Sequence, residues 1–190
     1  MALSEILSFI GDGSRASIVY KINPQSAARD CGWVKIMSIQ FSRELIKGRI
    51  AEVIFEQMIR EEGKYTVIPF GYEHTVPTLA QYREHIDLKR VLENISDAPD
   101  FALVSEDKTK LYLVEVKYRK SLDMNDLQQK AAELLQRWNP SWIFVATPSG
   151  FYCSPSNTIV ANGVIKELSE SWVVRERQND YLQLLNEFER

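Results

Sequence analysis

The chain has 190 residues, 45% of them hydrophobic, enough for one domain with additions and a sizeable core. A net charge of −3 and a pI near 5.5 exclude a protein that coats nucleic acid through charge alone, though not one with a local basic strip. No apolar run reaches the ~20 residues of a membrane helix, and the two cysteines, Cys31 and Cys153, lack Cys-x-x-Cys spacing for zinc.

The first eleven residues, Met1 to Gly11, have no basic region ahead of their apolar part and do not read as a signal peptide. The expectation is a cytoplasmic protein without a structural disulfide. Residues 1–44 read as an N-terminal extension. A short helix is predicted over 3–10, a strand over 17–22 that ends at Asn23-Pro24, and a second strand over 33–41. Two roles are open to it: a β-hairpin arm for dimerisation or DNA contact, and added cover for the core.

Ser42 reads as an N-cap, and Glu44-Leu45 open a helix that runs to about residue 62 and stops at Gly63. Inside it lies Gly48-Arg-Ile-Ala-Glu52, with Glu56 one turn further on. Residues 63–72 read as the first strand of a sheet. Residues 73–96 read as a polar helical insertion that carries His74 and His85, neither given a catalytic role.

Residues 97–118 read as a β-hairpin, with arms at 101–104 and 111–118 and the polar link Glu106-Asp-Lys-Thr109. A four-residue link sets Asp100 opposite Glu115, with Cβ atoms ~4.5–5.5 Å apart. Alternation puts Glu115 and Lys117 on one face and the Val116 side chain on the other. Two close carboxylates repel and protonate unless a cation neutralises them. Hard oxygen ligands suit Mg²⁺, which takes one or two carboxylates, keeps waters and binds substrate phosphates. A lysine beside such an ion can position an attacking water or help deprotonate it, which describes a metal-dependent phosphodiesterase.

Pro99-Asp100, a spacer, then Glu115-Val116-Lys117 resembles the PD-(D/E)xK nuclease superfamily. The resemblance implies that Asp100, Glu115 and the Val116 carbonyl hold Mg²⁺, with Mn²⁺ able to substitute, and that Lys117 serves the water. Gly48 followed four residues later by Glu52, then a helix, a glycine, an aromatic and an apolar strand, is similar to archaeal Holliday-junction resolvases. By that likeness Glu52 also reaches the metal, with Glu56 the alternative. Some members carry a four-cysteine iron–sulfur cluster, which two cysteines cannot supply.

Tyr118-Arg119-Lys120 follows the hairpin and reads either as a DNA-binding strip, gripping phosphate or stacking on a base, or as a solvated strand end. Asp123 or Asn125 caps a helix to Trp138 whose apolar face is Leu127, Ala131, Leu134, Leu135 and Trp138. Relatives often carry a glutamine on this helix that touches the site or the DNA. Gln128, beside the stripe, is the match, and Lys130 lies on the opposite flank. Residues 142–146 are apolar throughout, as in a central strand buried on both faces. Thr147-Pro-Ser-Gly150 is a turn. Residues 148–190 read as a C-terminal extension: a loop over 151–163, a short strand within 164–174, and an amphipathic helix over 178–190 that packs on the core or on a second subunit.

The expected fold is therefore α/β. Helix, strand, hairpin, helix, strand over 45–147 is the order of a restriction-endonuclease-like αβββαβ core, a mixed sheet flanked by helices. The resemblance implies a Mg²⁺-dependent DNA nuclease, structure-selective in the resolvase manner, with DNA and a second copy of the chain as expected partners. The rival reading is a non-catalytic nucleic-acid-binding or scaffold protein that retains the fold. A broken triad would be expected of it, whereas Asp100, Glu115 and Lys117 are all present.

Overall fold

The computed structural model describes residues 27–71 and 98–189. Among these the elements run α1 (Ala27–Glu62), β1 (Tyr65–Pro69), β2 (Phe101–Ser105), β3 (Leu111–Tyr118), α2 (Met124–Arg137), β4 (Ser141–Thr147), β5 (Gly150–Pro155), α3 (Ser156–Asn162) and α4 (Arg175–Phe188). The chain divides into two compact units, Met1–Phe41 and Ser42–Arg190. The sheet belongs to the second. Among the described residues no helix is long and apolar enough to cross a membrane.

The turn between β2 and β3 fixes the register of the hairpin. Asp107 accepts hydrogen bonds from the Ser105 hydroxyl at 2.5 Å, the Thr109 N–H at 3.1 Å and the Thr109 hydroxyl at 2.8 Å. These bonds, that with Ser105 foremost, hold its carboxyl down at about 2. Lys108 takes the left-handed conformation, φ 56°, that closes the loop. Phe101 then pairs with Val114 and Val104 with Leu111.

The five strands lie in the order β1-β2-β3-β4-β5. Only β3 and β4 are parallel, joined through α2; the other neighbours are antiparallel. The expected mixed sheet flanked by helices is present. β4 is an inner strand, flanked by β3 and β5, and every residue from Ile143 to Thr147 is buried. Its side chains alternate between two cores. Phe144 and Ala146 join Phe55, Met58 and Ile59 of α1 on one face; Ile143 and Val145 join Leu127, Ala131 and Leu134 of α2 on the other. Phe55 is the hinge of the first layer, 5.3 Å from Phe101 and 4.7 Å from Phe144 between ring centroids. In α4, Leu185 is buried and Tyr181 and Leu182 pack on the same core, so this helix covers the sheet.

Three expectations change. Residues 33–41 are helical rather than a strand, and Ser42 lies inside α1 rather than capping it. No proline falls between Pro24 and Pro69. A helix once nucleated adds a hydrogen bond with each residue, which outweighs a short alternating pattern. The hairpin arm over 1–44 therefore loses its second strand. Its first strand, the helix at 3–10 and the insertion over 73–96 lie outside the described residues. Next, 151–163 is not a loop: it holds β5 and α3. Phe151 and Cys153 face the α1 core while Tyr152 packs on the other, so no polar alternation marks the strand, and Pro155 ends it at the start of α3. Last, 164–174 has no strand beyond a single bridge from Glu167 to Tyr152.

Candidate active site

The PD pair sits where the hairpin ladder runs out. Carried past Phe101–Val114, the register sets Asp100 against Glu115 and Pro99 against Val116. A hydrogen-bonded antiparallel pair exchanges two N–H···O bonds. Here the Val116 N–H donates instead to Asp100 Oδ2 at 2.7 Å. Pro99 has no N–H to give in return, so the ladder bond that the Val116 carbonyl would accept cannot form. One proline thus frees a main-chain oxygen beside two carboxylates. The Asp100 backbone is clamped as well, its carbonyl accepting the Phe70 and Gly71 N–H groups at 2.8 and 3.0 Å. A Cβ on Gly71 would come within 3.3 Å of the Asp100 Cα, so glycine permits this approach.

Glu115 is 5% exposed, and its neighbours are cations. Lys117 Nζ lies 2.6 Å from Glu115 Oε1, and Lys130 Nζ, arriving from α2, lies 3.3 Å from the same oxygen. Burial, above all, and the nearby Glu115 charge push the Asp100 carboxyl up to about 7, against an ordinary 3.8; Lys117 and the Val116 N–H oppose that rise. Burial alone would lower the Lys117 ammonium, but Glu115 and Asp100 outweigh it and raise the value. Lys117 therefore stays protonated. It can donate to a water or an anion, and it is poorly suited to taking a proton.

Glu52 approaches from α1, the helix on the other face of the sheet. It is held by Arg49 at 2.7 Å, and its charge is the weakest of the influences on Asp100. Glu56, the alternative, is paired with Arg60 at 2.8 Å. Gln128 points elsewhere: its amide donates to the Val160 carbonyl of α3 at 3.4 Å and lies against Gly163. The DNA-strip residues diverge too. The Tyr118 ring packs on the α1-side core with Lys47 5.2 Å from its centroid. Arg119 Nε and Nη2 donate to Asp126 Oδ2 at 2.9 and 2.6 Å, while Lys120 is exposed. The structure thus brings together Asp100, Glu115 and Lys117, and adds Lys130. The sequence signal for Lys130 was its place flanking the Leu127–Ala131–Leu134 stripe, which α2 buries after Asp123 caps it through the Asn125 and Asp126 N–H groups.

Two carboxylates and a main-chain carbonyl are the hard oxygens Mg²⁺ takes, and the ammoniums already on Glu115 mark the spot as one that a cation suits. Among the described residues no cluster of three or more His, Cys, Asp or Glu side chains is arranged to hold a metal. A magnesium site needs fewer protein ligands than such a cluster. An apolar groove of about 610 Å³ lies between α1 and α4, lined by Leu45, Ile46, Val53 and Phe188 among others; none of the charged cluster lines it.

No family model matches the chain, and no curated protein matches it significantly.

Proposed function

We propose that the protein is a divalent-metal-dependent nuclease of the restriction-endonuclease-like, PD-(D/E)xK kind, acting on DNA. The observation that carries this reading is the convergence of Asp100, Glu115 and Lys117 at the open end of a ladder where Pro99 frees the Val116 carbonyl. The element order α1, β1, β2, β3, α2, β4 supports it as well.

Asp100, Glu115 and the Val116 carbonyl would hold Mg²⁺ or Mn²⁺. When bound, the cation supplies Lewis-acid neutralisation of the phosphate and makes a nearby water more acidic. The Asp100 carboxyl must give up the proton that burial and Glu115 favour, so uptake of the cation releases a proton there. The Lys117 ammonium donates to the attacking water or to a phosphate oxygen and fixes its line of approach. Hydrolysis joins the water oxygen to phosphorus, breaks the bond to the leaving ester oxygen, and carries one proton from the water to that oxygen. Glu52 acts from a distance, through charge.

Cleavage of linear, flapped and four-way-junction DNA with Mg²⁺ and with EDTA tests the reading. Metal-dependent product is expected, lost in Asp100→Ala and Glu115→Ala proteins that keep the wild-type circular dichroism. Binding without cleavage of any substrate would favour the scaffold reading; preference for the junction would add structure selectivity.

A further inference from the structure

We propose that Lys130 is a second catalytic cation of this site, contacting the phosphate as negative charge builds on it; the assignment rests on the nuclease reading above. Two lysines from different elements meet on one oxygen. Lys117 stands two residues along β3 from Glu115, whereas Lys130 reaches Glu115 Oε1 from α2. Lys117 alone, at 2.6 Å, already neutralises that carboxylate. Lys130 is held at a longer 3.3 Å, its side chain only 26% exposed, as a second cation on an oxygen that Lys117 already pairs.

Its position is built rather than incidental. Leu127, Ala131 and Leu134 are buried against Ile143 and Val145 and fix how α2 is rotated on the sheet. Lys130, next to Ala131, is thereby turned toward the edge of that stripe, where β3 presents Glu115. A surface lysine on a freely turning helix would not be delivered to a carboxylate with 6% side-chain exposure.

Charge decides what the second ammonium is for. Asp100, Glu115, Lys117 and Lys130 together make two negative and two positive groups. Occupancy of the carboxylates by a divalent cation leaves both ammoniums in excess. A phosphodiester carries one negative charge, and attack by the water, once its proton has passed to solvent, brings a second until the leaving oxygen takes a proton up. With both lysines the loaded site matches that dianion; with Lys117 alone it falls one charge short. Cations preorganised where charge develops lower the barrier more than they strengthen substrate binding.

The same arrangement has an opposite effect on metal uptake. Lys130 competes with an incoming cation for Glu115 Oε1. The experiment compares wild type, Lys130→Met and Lys130→Arg in the full-length chain by Mn²⁺ titration calorimetry without DNA and by single-turnover cleavage at saturating Mn²⁺ and DNA. Lys130→Met is expected to bind Mn²⁺ several-fold more tightly yet cleave about a hundredfold more slowly. Lys130→Arg keeps the charge and should regain most of the rate. A lysine that merely held α2 in place would, on removal, weaken both. Lys130→Met cleaving at the wild-type rate overturns the proposal, as does slower cleavage with weaker Mn²⁺ binding and no rescue by arginine. A wild-type chain that takes up no Mn²⁺ and cleaves nothing overturns the nuclease reading itself, which separates the two failures.

Discussion

Asp100→Asn should make the metal-free protein more stable. The asparagine keeps the shape and its side-chain oxygen can still accept the Val116 N–H, so the bond at 2.7 Å survives. What disappears is a negative charge that burial and Glu115 oppose. The interval from 3.8 to about 7 corresponds to roughly 4 kcal/mol at about 1.4 kcal/mol per pH unit. Part of that penalty comes from burial and part from the Glu115 charge, so replacing Asp100 should recover roughly 2–4 kcal/mol above neutral pH. For a chain of this size that is a rise in Tm of about 5–15 °C. The sign follows from the folded value lying above the unfolded one. The folded protein holds the proton more tightly, so the contribution of Asp100 is fully present below pH 3.8 and is lost as pH rises through about 7. The wild type should therefore lose stability between about pH 4 and 7 relative to Asp100→Asn, and the gap should then level off. Thermal unfolding of both proteins in EDTA from pH 4.5 to 8.5 measures this. In the wild type, Mn²⁺ should close the gap by neutralising the pair. A variant less stable than wild type at pH 8 in EDTA, or a difference that does not vary with pH, would refute the electrostatic account of the site.

Under the nuclease reading, Lys117→Met should lower the single-turnover rate by about a hundredfold or more while DNA affinity in Ca²⁺ changes little; a loss of affinity alone would make Lys117 a phosphate clamp. Asp126→Asn should release Arg119 from its 2.6 Å ion pair and strengthen DNA binding about three- to tenfold at low salt, with a steeper salt dependence. Unchanged binding would remove Arg119 from the DNA surface. Phe55→Ala should destabilise the fold by about 3–5 kcal/mol in urea unfolding, because the ring sits between Phe101 and Phe144. A loss below about 1 kcal/mol would contradict the packing of α1 on the sheet.

What could be read from the amino-acid order was local. The 106–109 link set the β2–β3 register because Asp107 and Lys108 close a turn of fixed length, and that register alone put Asp100 opposite Glu115. The apolar run in β4 announced burial on both faces, and Asp123 with the Leu127–Ala131–Leu134 stripe defined α2. Each depends on residues a few positions apart, whose geometry the backbone dictates. Other features needed the whole fold. The start of α1 was hidden because a nine-residue alternating stretch suits a strand as readily as the continuation of a helix. β5 was hidden because a strand packed on both faces has no polar alternation. That Glu52 stands across the sheet from Glu115, that Gln128 turns to α3, and that Lys130 meets Glu115 are matters of how each helix is rotated on the sheet. That rotation is set by which buried side chains interlock, and contacts between residues distant in sequence leave no trace in local spacing.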